Sequence, residues 1–219
     1  MALTVAFFDL DYTILDTSSG LEFARATLRS GRIRFYHLPY LAWLAGLYTT
    51  GLLDYGRATA GFFRLAWPEG EAALQAFAAG WAGAGLLPHV TDPARQKIAE
   101  HRAQGHHPLI LSAATPYIVG PVARHLGLNY LCTRLTLNDG KFDGEVEPPT
   151  CYGPGKIVWA ERWAQARGST IDWAASYFYS DSHSDLPLLR RVGNPVAVNP
   201  DRRLRRVAVA NGWPILKFY

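Results

Sequence analysis

Cysteine is nearly absent from this chain: its 219 residues hold two, Cys132 and Cys151. Two isolated cysteines exclude a disulfide framework and offer no paired spacing for zinc, so a reduced, cytoplasmic protein is expected. Charge is also sparse, at 18% of residues against 49% hydrophobic, which excludes a disordered chain. The opening segment MALTVAFFDLD lacks a basic leader and meets carboxylates too early to read as a signal peptide. Internal repeats and low-complexity tracts are absent. The formal net charge is only +4. Arginines crowd positions 190–191 and 202–206 with little aromatic interleaving. That pattern reads as a solvated helix face, so no nucleic-acid partner is expected. Mild basicity does suit an anionic substrate.

What is present divides the chain into two textures. Residues 3–8 form an apolar, β-favouring run that stops at Asp9, which predicts a buried strand. Residues 17–85 are rich in Ala, Leu and aromatics at helical spacing. From Pro88 onward strands and helices alternate. Helices are expected over 92–104, 116–126, 155–167 and 186–192, and strands over 108–111, 130–133, 176–179 and 195–198. Short strands at 135–137 and 145–147 flank Asn138-Asp139-Gly140, a hairpin signal with a connection longer than an ideal two-residue loop. Such alternation implies an α/β fold: a Rossmann-like, mostly parallel sheet covered on both faces. The expected division is a catalytic core over 1–16 and 86–219 and an inserted helical cap over 17–85. The cap would lie over the carboxyl edge of the sheet, where open parallel sheets bind ligands.

Four predicted strand ends and helix starts carry polar chemistry. Asp9-Leu10-Asp11-Tyr12-Thr13 follows the first strand. Two carboxylates that close can divide nucleophilic attack and proton transfer between them, and their joint charge calls for a cation. Asp9, Asp11 and Thr13 also fit the first positions of a calcium loop, but Ile14 stands where glycine is needed and Gly20 where glutamate is needed. Ser112 and Ala113 end the strand at 108–111. The hydroxyl can donate to a phosphate oxygen, and the small neighbour lets a backbone N–H approach. Lys156 opens a helix after Gly153-Pro154-Gly155 and can neutralise a phosphoryl group. Ser180-Asp181-Ser182-His183-Ser184-Asp185 brings two more carboxylates, which are costly at a buried strand end unless paired or metal-bound.

In their order and spacing these four elements resemble the motifs of the haloacid dehalogenase-like hydrolases. The insertion after the first motif is similar to the helical cap of the branch that holds phosphoserine phosphatases. The strings Leu111-Ser112-Ala113 and Tyr179–Leu188 look closest to a bacterial subgroup assigned to histidinol phosphate and phosphatidylglycerophosphate. The resemblance implies Asp9 as nucleophile and metal ligand. It implies Asp11 as acid and base, with its backbone carbonyl on the metal. Ser112, Ala113 and Lys156 would hold the phosphoryl group, Asp181 would complete a Mg²⁺ site, and Asp185 would support it. Phosphoserine phosphatases usually carry Asn where Ser184 stands, and a carboxylate where Ser18 stands. Phosphoserine is therefore not implied as the substrate.

The expected activity is a Mg²⁺-dependent phosphomonoesterase acting on a small phosphorylated metabolite through an aspartyl phosphate. The alternative is a membrane-surface phosphatase acting on a lipid head group such as phosphatidylglycerophosphate. Residues 35–53 favour that alternative, being largely apolar without Asp, Glu, Lys or Arg and following Arg29, Arg32 and Arg34. His37, Pro39 and Gly46 make the run a poor membrane span. A phospho-acceptor module without hydrolysis is disfavoured by Asp11, which such a module does not need. Discrimination between phosphate esters must come from the cap. Glu22, Arg25 and Arg57 are its candidate recognition residues, since guanidinium pairs bidentately with a carboxylate or a second phosphate.

Overall fold

The computed structural model describes residues 2–33, 37, 39 and 54–219. In chain order its strands are β1 (Ala2–Leu3), β2 (Val5–Phe8), β3 (His107–Ser112), β4 (Asn129–Cys132), β5 (Leu135–Asn138), β6 (Lys141–Val146), β7 (Thr170–Ile171), β8 (Tyr177–Ser180), β9 (Asn194–Val198) and β10 (Ile215–Leu216). The helices are α1 (Ser19–Arg29), α2 (Tyr55–Ala66), α3 (Glu71–Gly85), α4 (Asp92–Ala103), α5 (Pro116–Leu126), α6 (Gly155–Gln165), α7 (Leu186–Leu189) and α8 (Arg202–Ala210).

The main sheet has the order β10-β9-β8-β2-β3-β4, and every pairing in it is parallel. Phe7 of the central strand β2 sits in register with Leu109 on one side and Phe178 on the other. The chain builds outward from β2 through β3 and β4, then returns to add β8 and β9 on the opposite side. The strand order therefore reverses beside β2, the place where such sheets open a crevice at their carboxyl ends.

Both faces of the sheet are covered, which explains the unbroken apolar strands. Ala6, Phe8, Ile110, Tyr179 and Val196 point to one face, against Ala94 and Ile98 of α4 and Ile118, Val119 and Val122 of α5. Val5, Phe7, Leu109, Leu111 and Phe178 point to the other, against Trp159 and Trp163 of α6, Leu188 and Leu189 of α7, and Leu204 of α8. Among the described residues the inserted helices share a core with the sheet. Phe23, Phe63, Trp67 and Leu74 belong to the same buried cluster as Phe8 and Ile110.

Three details differ from the sequence expectations. The β5–β6 connection is a tight two-residue turn, with Asn138 opposite Lys141 and both Asp139 (φ 49°) and Gly140 (φ 73°) left-handed. β6 begins earlier than expected because Asp and Gly tolerate that backbone and close the turn at once. The helix expected over 186–192 is regular only over Leu186–Leu189. The two-residue strands β1, β7 and β10 are too short to show periodicity. The apolar run at 35–53 lies outside the described residues apart from His37 and Pro39, and no described helix is long and apolar enough to cross a membrane.

Candidate active site

The first motif turns sharply out of β2. The Asp9 N–H donates to the Tyr179 carbonyl at 2.9 Å, extending the sheet by one bond. A wide turn over residues 10–14 follows, closed by the Leu15 N–H on the Leu10 carbonyl at 2.9 Å. Inside it Asp11 is extended and Tyr12 is left-handed at φ 51°. Tyr12 is held there by its N–H on the Thr17 carbonyl and by Asn199 Nδ2 donating to its own carbonyl. A non-glycine residue in that region is strained by about 1 kcal/mol.

This reversal delivers the Asp11 carboxylate to the start of α1. Ser19 N–H donates to Asp11 Oδ1 at 2.9 Å, so the carboxylate lies at a helix N-terminus, where the macrodipole favours negative charge. Ser18 caps the same helix by accepting from the Leu21 N–H. Burial nevertheless raises the Asp11 carboxyl above the ordinary range, against the hydrogen bonds from Ser19 and the charge of Lys156.

Lys156 is the centre of the arrangement. It lies in the first turn of α6, where Gly155 lets the helix start press on the preceding loop: a Cβ there would meet the Thr150 carbonyl oxygen at 2.0 Å. Its Nζ donates to Asp9 Oδ1 and to Asp185 Oδ2, both at 2.7 Å. Only 2% of Lys156 and 2% of Asp185 are exposed. Burial would lower the ammonium's affinity for its proton, but Asp185 and Asp9 outweigh that and raise it. Ser180 Oγ donates a further bond to Asp185 Oδ2 at 2.7 Å, so this oxygen is doubly held.

Two carboxylates remain underneutralised. Burial pushes Asp9 up to about 7; Lys156 opposes the rise, while Asp185 and Asp11 add to it. Asp181 is pushed up to about 8, by burial first and then by Asp9 and Asp185. The loop over residues 180–185 that carries it is anchored at the start of α8: the Asp201 N–H donates to the Asp181 carbonyl at 2.8 Å, and His183 N and Nδ1 bond to Asp201 Oδ2. At the end of β3, Ser112 Oγ accepts from the Ala114 N–H at 3.1 Å, leaving its own proton to donate; Ala113 between them is half-buried.

Asp9, Asp11, Lys156, Asp181 and Asp185 are thus coupled in one cluster, with Ser112 at the end of the strand adjoining β2. The charged residues expected to recognise substrate form pairs of their own. Glu22 accepts from Arg25 at 2.6 Å on the α1 surface, and Arg57 is exposed beside Asp54. Ser180 and the Ser19 N–H escaped the sequence reading. The first is visible as a hydroxyl at a strand end, but the second depends on where α1 begins.

Among the described residues no three His, Cys, Asp or Glu side chains enclose a metal by themselves. Asp9 and Asp181 supply two carboxylates whose ionisation is suppressed by burial first and then by neighbouring carboxylates. That donor set fits Mg²⁺, which binds through one or two carboxylates and keeps several waters.

A family model for haloacid dehalogenase-like hydrolases matches residues 6–190. The chain belongs to that family. Among similar proteins, the inhibition of morphological differentiation protein of Streptomyces azureus is 34% identical over 230 residues, covering 99% of this chain and 79% of that one. A histidinol-phosphatase of Neisseria meningitidis serogroup C is 30% identical over 227 residues, covering 98% of each. A Bordetella pertussis Tohama I protein of unknown function superposes with a TM-score of 0.90 at 28% identity over the whole of both chains. A phosphoserine phosphatase solved as a phospho-aspartyl intermediate analogue gives a TM-score of 0.67 at 18% identity, over 100% of this chain and 95% of that one. This last likeness shows the fold.

Proposed function

We propose that this hydrolase cleaves phosphate monoesters with Mg²⁺ through an aspartyl phosphate on Asp9. The observation that carries the reading is Lys156 bridging Asp9 and Asp185 at the carboxyl end of the sheet. A phosphoryl group passing between oxygens needs in-line positioning and charge neutralisation more than covalent help. Lys156 holds the Asp9 carboxylate still and offers positive charge to the phosphoryl oxygens. The Ser112 hydroxyl and the N–H of Ala113 donate to the same oxygens. Asp9 attacks phosphorus, and Asp11 gives its proton to the leaving oxygen. Burial raises its affinity for that proton above the ordinary carboxyl range. Once deprotonated, it takes a proton from the water that cleaves the acyl phosphate. Asp9, Asp181 and the Asp11 carbonyl would hold Mg²⁺, which supplies neutralising charge for the carboxylates and the incoming phosphate.

The substrate we propose is a small phosphorylated metabolite, with histidinol phosphate the first to try on the strength of the Neisseria relative. The two buried free cysteines suit a reducing, cytoplasmic setting. The test is release of inorganic phosphate over many turnovers from para-nitrophenyl phosphate, histidinol phosphate, phosphoserine and a micellar phosphatidylglycerophosphate, each with Mg²⁺ and with excess chelator. Full activity in chelator would remove the metal from the reading. A single stoichiometric burst would make the protein a phospho-acceptor instead. Preference for the micellar ester would favour the lipid alternative.

A further inference from the structure

The cap is pinned where it approaches the cluster. Asp54 caps α2 by accepting from the Arg57 N–H at 3.1 Å. Gly56 packs so closely on the core that a Cβ there would lie 2.8 Å from both Thr150 Oγ1 and Val146 Cγ2. Between them stands Tyr55, the first residue of α2. Its ring stacks on Tyr152 with centroids 5.1 Å apart and planes 8° from parallel. Tyr152 belongs to the loop that leads into Lys156, so this stack joins cap to core at the rim of the catalytic cluster.

Both rings are partly exposed. Tyr55 is half-buried and Tyr152 is 42% exposed. The carboxylates lie close behind: burial raises the Tyr55 hydroxyl above its ordinary range, and the charges of Asp11 and then Asp9 raise it further. By contrast, the charged cap candidates Glu22, Arg25 and Arg57 are engaged in surface pairs.

We propose that Tyr55 and Tyr152 form an aromatic wall that contacts the leaving group and favours phosphate esters whose alcohol carries a flat or apolar body. Stacked rings offer a large, rigid contact surface at small entropic cost. The inference rests on the phosphatase reading and adds to it a class of leaving group.

Para-nitrophenyl phosphate and inorganic phosphate differ in the aryl group alone, so comparing them isolates the wall. Tyr152→Ala removes an exposed ring with little risk to folding, and Tyr55→Leu keeps bulk while ending the stack. Each should raise KM for para-nitrophenyl phosphate about threefold to tenfold, the size of one lost aromatic contact. Competitive inhibition by inorganic phosphate should stay within about twofold of the wild-type constant. Unchanged KM in both variants would overturn the inference. So would parallel loss of phosphate affinity, which would mark the pair as a brace for the phosphoryl site. A wild-type protein without turnover would overturn the phosphatase reading, and the inference with it.

Discussion

Phe23 and Lys156 are both almost fully buried, at 1% and 2% exposure, yet they represent opposite solutions to burial. Phe23 sits at the centre of the aromatic cap, its ring 5.1–5.7 Å from those of Phe63, Trp67, Phe77 and Trp81. The cap gains by removing apolar surface from water, about 25 cal/mol per Å². Lys156 sits among carboxylates, each of which costs free energy to desolvate and is only partly compensated by its partner. One region holds the molecule together, and the other is maintained against its own desolvation. The cap is also tied to the β5–β6 hairpin, through Phe63 on Phe142, Arg64 on the Asp143 carbonyl and the Glu71 N–H on the Gly140 carbonyl. The apolar region thereby braces the wall beside the charged one.

That contrast breaks if activity and stability respond alike to changes in both regions. The largest expected effect is at Asp9. Asp9→Asn should lower turnover about 10³-fold or more, equivalent to about 4 kcal/mol, without loss of thermal stability, since it removes a buried charge. Paired measurements of phosphate release and melting temperature check this, and near-normal turnover would refute attack by Asp9.

Phe23→Ala should do the reverse. Losing that ring from a packed cluster costs about 3–5 kcal/mol of stability, read from the denaturation midpoint. The kcat of the folded fraction should stay within about threefold. A stable Phe23→Ala protein would mean that the cap cluster contributes little.

A third, smaller effect concerns pH. Asp9 and Asp181 are raised above their unfolded value of 3.8, to about 7 and about 8. The native protein then binds more protons than the unfolded chain between about pH 4 and 8. The stability these groups contribute is fully present below the unfolded value and is lost as pH rises through 7 to 8. In chelator the melting temperature should therefore fall across that range. Added Mg²⁺ should raise it more at pH 8 than at pH 5, because the ion binds the ionised carboxylates. Equal stabilisation at both pH values would separate the metal from these carboxylates.

The smallest effects belong to Glu22, Arg25 and Arg57. Their pairs are surface ones, worth about 0.5 kcal/mol or less, so alanine there should barely move the melting temperature. Their KM values test the recognition role expected of them from sequence. A tenfold rise for the best substrate, with para-nitrophenyl phosphate spared, would place the leaving group farther out on the cap surface than Tyr55 and Tyr152.

The parallel α/β core was legible in the sequence, as was the placing of Asp9, Ser112 and Asp181 at strand ends and of Lys156 at a helix start. Strand ends in a two-faced sheet are marked by where an apolar run meets its first polar residue, and that boundary is local. The Ser19 N–H on Asp11, the Ser180 hydroxyl on Asp185 and the Tyr55 ring on Tyr152 became visible once the chain was folded. Those contacts join residues whose separation along the chain carries no period, and they follow from how α1 and α2 dock. Composition likewise could not show that the cap shares the core's hydrophobic cluster, because burial depends on which surfaces meet.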